Sequence, residues 1–237
     1  DCKVKTLFRE KNLGCKEAVS QAISWFFEHE DEGIILEDDC IPNESFFYFC
    51  QEMLDHYRDE KRVMHVSGNN FQKEFKRGGG DYYFSIYNHI WGWATWKRAW
   101  KNYTTADLDS KKLTSFINST IQEKKAKKYW LYILKKIKNN KIDTWDYYWT
   151  FSIWQNNGIS ILPNKNLVKN IGFGKSATHT TNRLKISNQN FEIDFPLKRL
   201  NIIEVNKDAD LFTEKTELFN RNPMFIRAFN FLKYKIK

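Results

Sequence analysis

The chain has 237 residues, 41% of them hydrophobic and 16% aromatic, enough apolar material for one large α/β domain and too much for disorder throughout. Its 38 lysines and arginines against 29 acids give a formal charge of +9, which favours an anionic partner without choosing among a nucleotide diphosphate, a phospholipid surface and nucleic acid. No apolar run approaches the roughly 18 residues of a membrane span, no signal-peptide pattern opens the chain, and Cys2, Cys15, Cys40 and Cys50 show no CxxC or zinc spacing, so a reducing, cytoplasmic setting is expected.

In chain order, Lys3 to Phe8 alternates polar and apolar residues and predicts a strand. Cys15, Ala18, Val19, Ala22, Ile23, Phe26 and Phe27 follow helical spacing, and in that setting Cys15 reads as a small hydrophobe. Ile34-Ile35-Leu36 has the form of a buried parallel strand and stops abruptly at Glu37-Asp38-Asp39. Strand, helix and strand in so short a span predict a βαβ unit and hence a parallel sheet.

A second helix is expected after Asn43, its N-cap, with Phe46, Phe49, Cys50, Met53 and Tyr57 on one face. Val63–Ser67 and Tyr82–Ile86 read as strands, and the stretch from His89 to Trp100 is dense in tryptophan. Leu113 to Lys141 predicts one lysine-rich helix, and Asp143 to Trp154 another, capped by Asp143 or Thr144. Ile159–Leu162 and Asn166–Val168 read as short strands, and residues 170–182 as a polar, glycine-containing loop. Beyond Arg183 periodicity is weak, apart from a basic amphipathic stretch from Met224 to Ile236.

Three features can carry chemistry. Three successive carboxylates after an apolar strand repel one another, and a divalent cation with oxygen ligands, Mg²⁺ or Mn²⁺, would relieve that cost. A solvated acidic turn explains Glu37-Asp38-Asp39 equally well on these residues alone. Asp146, flanked by Trp145 and Tyr147, sits where desolvation can make it a better base, although an exposed first-turn acid favoured by the helix dipole is the simpler reading. The loop from Asn170 to His179, with Gly172, Gly174, Lys175 and hydroxyl groups, can wrap a diphosphate, and a plain surface loop would look similar. The tryptophans at 91, 93, 96 and 100 read first as core, with Gly92 and its neighbours able to form a sugar-stacking wall. The lysine-rich helix reads as a solvated face, and no nucleic-acid-binding motif occurs.

Taken in order, Asn12-Leu-Gly14, Gly33-Ile-Ile-Leu-Glu-Asp-Asp39, Ser67-Gly-Asn-Asn70, Trp91-Gly-Trp93, Trp145-Asp-Tyr-Tyr-Trp149 and Gly172-Phe-Gly-Lys-Ser-Ala-Thr-His179 resemble GT-A nucleotide-diphospho-sugar transferases. The order is similar to that of the N-acetylglucosaminyltransferase I family, and closer still to its bacterial hemolytic-protein-like glycosyltransferase relatives. The resemblance covers roughly residues 3–182. It implies a Rossmann-like, mostly parallel sheet flanked by helices, with residues 1–182 as the transferase domain and 183–237 as a basic extension. It also implies that the strand and loop gripping the nucleotide base lie upstream of Asp1.

The resemblance further implies roles. Asp39 would be the metal ligand, for Mn²⁺ or Mg²⁺, and Asp146 the general base. Glu37 and Asp38 would contact the donor's ribose and sugar, with Arg9, Asn12, Gly14, Lys175 and His179 also on the donor side. Trp91, Gly92, Trp93 and Trp145 would shape the acceptor side. The activity implied is inverting transfer from a nucleotide sugar, a UDP-sugar first among them, to a glycan or lipid-linked acceptor. Peripheral contact with the inner face of a bacterial membrane and no nucleic-acid partner complete this expectation. In the Trp145–Trp149 motif two tyrosines replace the second acid of the eukaryotic pattern, which adds one residue before the second tryptophan. A truncated, donor-incompetent domain with a binding or assembly role, and a metal-dependent nucleotidyltransferase, are the alternatives.

Overall fold

The computed structural model describes residues 2–73, 75–172 and 189–216. Five strands, β1 (Glu32–Ile35), β3 (Val63–Ser67), β4 (Tyr82–Ser85), β5 (Trp93–Trp96) and β6 (Ile159–Pro163), form one sheet in the order β1-β5-β3-β6-β4. β2 (Cys40–Pro42) pairs antiparallel with β7 (Val168–Asn170) in a small second sheet. The helices are α1 (Gly14–His29), α2 (Glu44–His56), α3 (Lys97–Trp100), α4 (Ser110–Thr120), α5 (Lys124–Lys138), α6 (Asp146–Gln155) and α7 (Lys207–Thr216).

The sheet is mixed, and mostly antiparallel rather than mostly parallel. Only β3 and β6 run parallel, while β1–β5, β3–β5 and β4–β6 are antiparallel. Short apolar runs carry no sign of direction, because direction is set by the long connections between them. The central parallel pair is buried along its whole length, as a strand covered on both faces must be. β1, expected as a buried parallel strand, is instead a half-buried strand pairing antiparallel with β5. Lys3–Phe8 forms no strand; Val4 and Phe8 are exposed, and the βαβ reading falls with it. Alternation alone does not make a strand where no neighbouring edge accepts its hydrogen bonds.

Helices cover both faces. On one, α2 forms as its spacing predicts: Phe46, Phe49, Cys50 and Met53 are fully buried, and the Asn43 side chain accepts from the Phe46 N–H at 3.0 Å. Its Phe49 ring and the Tyr57 ring after it meet Tyr82 edge to face. On the other face α6 is buried almost all round, with Trp149 Nε1 donating to His65 Nδ1 at 3.1 Å and Trp154 Nε1 to the Ile86 carbonyl at 2.7 Å. The single helix expected over 113–141 is two, α4 and α5, broken at Ile121–Glu123. There the Gln122 and Glu123 N–H groups are held by the Glu214 carboxylate, a partner far along the chain. The expected strand at 166–168 is shifted to 168–170 by its pairing with β2.

The segment expected as an extension contributes to the same core. Ile193 and Leu197 are buried within it, and Val205 bridges to Phe84. The amphipathic stretch 224–236 lies outside the described residues.

Candidate active site

The acidic triplet leaves the C-terminal end of β1 and enters β2, so it links the edge of the main sheet to the small one. The strand register then decides what faces it. Ile35 pairs with Trp93, and the Trp93 indole stacks on Trp145 with centroids 5.4 Å apart and planes 18° from parallel. Trp145 is 1% exposed, and its Nε1 donates to Glu37 Oε1 at 3.2 Å across 108 residues of sequence. One buried tryptophan stack therefore sets the triplet beside the first turn of α6, where Asp146 sits.

Neither Asp143 nor Thr144 caps that helix. The N-cap is Trp145, without a side-chain bond, and the Thr144 hydroxyl instead donates to Asp146 Oδ1 at 2.5 Å. Asp146 is half-buried, and its carboxylate direction is fixed by this threonine two residues ahead.

The loop of residues 170–172 reaches the triplet from the other side. β7 ends where the Ile171 N–H donates to the Asp39 carbonyl at 2.8 Å, and the Gly172 N–H donates to Asn170 Oδ1 at 2.8 Å. A Cβ at Gly172 would overlap the Asp39 carboxylate, so a side chain there would push that carboxylate aside. Lys175 and His179 lie outside the described residues.

The start of α1 closes the third side. The Gly14 N–H donates to Asn12 Oδ1 at 2.8 Å, and Gly14 packs against the Asp143 carboxylate. Cys15 packs against the core as expected, and its Sγ also lies 3.9 Å from Thr144 Oγ1, at the margin of the site. Burial raises its pKa, with Glu37 and Asp146 adding to the effect and the Thr144 bond opposing it. Cys15 and Thr144 are the residues sequence reasoning missed as parts of the site. Their adjacency to Gly14 and Trp145 was the available signal. Arg9 is exposed, and no described contact brings it to this group.

On the acceptor side the roles divide. Trp93 is fully buried, stacked also on His65, and Trp145 nearly so; both shape the site from below. Trp91 is half-exposed and meets Phe71 edge to face. Gly92 has φ +65°, and its carbonyl accepts from the Gly68 N–H at 2.7 Å, a back-to-back approach that a side chain at either glycine would obstruct. Asn69 and Asn70 of the same motif hold backbone: Asn69 Oδ1 accepts from the Trp91 N–H at 3.1 Å, and Asn70 Nδ2 donates to the Pro163 carbonyl at 2.5 Å.

The electrostatics of this group are one-sided. Burial raises the pKa of Glu37, and Asp39, Asp146 and Asp38 add to that, against the single opposing hydrogen bond from Trp145. Asp39 in turn accepts a weak bond from the Cys40 thiol, whose pKa is pushed up to about 12 by burial and by that carboxylate. Comparison with protein-family models and with curated proteins finds no match for this chain.

The donor set offers a hard divalent cation carboxylate oxygen throughout. Among the described residues no three His, Cys, Asp or Glu side chains converge on one metal position. A surface cavity of about 520 Å³ lies elsewhere, lined by Ser24, Phe27, Trp100 and Tyr103, and shares no residue with this site.

Proposed function

We propose that the protein is a metal-dependent, inverting glycosyltransferase that moves a sugar from a nucleotide-diphosphate donor, a UDP-sugar first among them, to a hydroxyl of a glycan or lipid-linked acceptor, on a GT-A type of fold. The observation that carries the reading is the hydrogen bond from Trp145 to Glu37. It joins two motifs 108 residues apart, while β2–β7 pairing brings the start of a third, Asn170 to Gly172, onto Asp39.

In this reading Asp39 holds the cation, and Glu37 and Asp38 meet the donor's ribose and sugar. A bound Mn²⁺ or Mg²⁺ supplies Lewis-acid neutralisation of the departing diphosphate, worth several kcal/mol. Asp146 takes the proton of the acceptor hydroxyl as that oxygen bonds to the anomeric carbon and the bond to the diphosphate breaks on the opposite face. Thr144 fixes the carboxylate for that approach, which is positioning rather than chemistry. The half-exposed Trp91 offers a ring edge to the acceptor sugar, and the buried Trp93–Trp145 stack holds the floor rigid.

The test is a panel of nucleotide sugars offered to the native full-length protein with and without Mn²⁺. Metal-dependent release of nucleotide diphosphate, lost in Asp39→Ala, is the expected result. No turnover of any donor, or turnover indifferent to Asp39→Ala, would overturn it, and nucleotide rather than sugar in the product would move the protein to the nucleotidyltransferases.

A further inference from the structure

The chain's charge is not spread over it. Residues 110–141, which hold α4 and α5, carry ten lysines and one glutamate, so this helical pair accounts for the whole formal excess of nine and the remainder is balanced. Eight of the ten lysines are exposed, and among the described residues none of the ten forms an ion pair. Lys127 donates to the Asn118 carbonyl at 2.7 Å and Lys136 lies over the Tyr132 ring, both within the same helical pair. The one acid, Glu123, is spent as the cap of α5, accepting from the Lys125 N–H.

The geometry of α5 gathers four of these charges on one side. At about 100° per residue, Lys124, Lys128, Lys135 and Lys138 fall within about 80° of one another. Ala126, Tyr129, Trp130, Ile133, Leu134 and Ile137 form the buried stripe opposite. Leu131 lies among the lysines and is half-exposed.

We infer that this lysine face of α5 docks the protein on an anionic phospholipid bilayer. The choice of partner rests on residue type. All ten charges are lysines, although arginines occur elsewhere in the chain, and lysine acts as a diffuse point charge where nucleic-acid recognition favours the bidentate, stacking guanidinium. The segment's half-exposed aromatics are both engaged, Phe116 stacked on Trp154 and Tyr132 beneath the Lys136 ammonium, so no free stacking platform for bases accompanies the charge. A flat lysine face with a leucine at its centre suits headgroups. The opposite, buried side of α5 ties it to the helix that carries Asp146, because Tyr129 bonds hydroxyl to hydroxyl with Tyr147, the neighbour of Asp146.

This inference stands on charge placement and does not depend on the glycosyltransferase reading. The experiment is sedimentation of the full chain with vesicles of phosphatidylcholine alone and of phosphatidylcholine with phosphatidylglycerol, at low and high salt. Binding at least tenfold stronger to the anionic vesicles, weakened by salt, is expected. The quadruple substitution K124Q, K128Q, K135Q and K138Q is expected to reduce it at least tenfold, while K3Q, K61Q, K101Q and K198Q, removing equal charge from exposed positions elsewhere, reduces it less than threefold. Equal losses in the two variants, no preference for anionic vesicles, or tighter binding to duplex or single-stranded DNA at the same salt would overturn it. Nucleotide-sugar turnover in solution, measured on the same variants, reports on the proposed function separately.

Discussion

Two groups of carboxylates in this molecule invite comparison, because they are chemically alike and treated oppositely. On α7, Asp210 and Glu214 are almost completely buried, and the protein supplies their donors. Asp210 accepts from the Ser85 hydroxyl at 2.5 Å and the Ile86 N–H at 3.2 Å, while Glu214 accepts from the Tyr87 hydroxyl and the Gln122 and Glu123 N–H groups. At the other group, half-buried Glu37 receives one indole N–H and half-buried Asp39 a weak bond from the Cys40 thiol, while Asp38 is exposed to solvent. Buried acids with full hydrogen bonding are structural parts. Half-buried acids that repel one another with few protein donors are open to completion from outside, by water, a cation or a ligand, and the proposed function assigns that place to a cation.

The comparison is sharpened most by Asp146→Asn. This change keeps the shape and the acceptor from Thr144 but removes the base, so sugar transfer is expected to fall by about 10²–10⁴-fold, with the thermal midpoint nearly unmoved. A fall in both would place Asp146 with the structural acids instead.

Glu214→Ala is the mirror experiment. It strips the buried Tyr87 hydroxyl and the part-buried Gln122 and Glu123 N–H groups of their acceptor, at about 2–4 kcal/mol of stability, read by urea unfolding, and leaves the site without a changed residue. A loss of turnover in protein that remains folded would break the distinction between the two groups.

Trp145→Phe tests the link between stack and site. The ring stays over Trp93, but Glu37 loses its indole donor, at about 1–2 kcal/mol. Glu37 then binds its proton more readily, so the pH below which activity is lost should move upward in the pH–rate profile. An unmoved profile would show that the bond does nothing for Glu37.

The smallest effect concerns pH and stability. His65 and His89 are held neutral by burial, with pKa values lowered to about 3 from 6.5, so the unfolded chain gains protons that the folded one does not below pH 6.5. Burial raises Asp210 from 3.8 to about 7, and folding therefore binds a proton there as pH falls from 7 toward 4. Glu37, raised by burial, acts with the same sign as Asp210. Between pH 6 and 5, two losses against one principal gain predict a net fall of about 1.4 kcal/mol per pH unit. In Asp210→Asn the gain disappears and the slope should roughly double, as urea midpoints at several pH values would show.

How much of this could be read beforehand follows from where each signal lives. The α2 stripe was legible because its residues and its Asn43 cap are local. So were β3, β4 and β6, and so was the identity of Glu37, Asp39 and Asp146 as acids next to apolar runs. Strand direction was not, since nothing in Ile34-Ile35 records that β5 runs against it. The break at Ile121–Glu123 was hidden because its anion comes from Glu214, and α7 looked unremarkable because Asp210 and Glu214 resemble surface acids until their partners are known. Cys15 read as core by spacing and packs against it, but its contact with Thr144 was hidden because that partner lies 129 residues away.

The central claim is that the triplet and not the α7 pair calls for an external cation. Calorimetric titration of Mn²⁺ into the native full-length protein with UDP present tests it most directly, on wild type, Asp39→Asn and Glu214→Gln. At least a tenfold loss of affinity in Asp39→Asn and none in Glu214→Gln is predicted. Equal affinities in all three, or no binding to wild type, would contradict it.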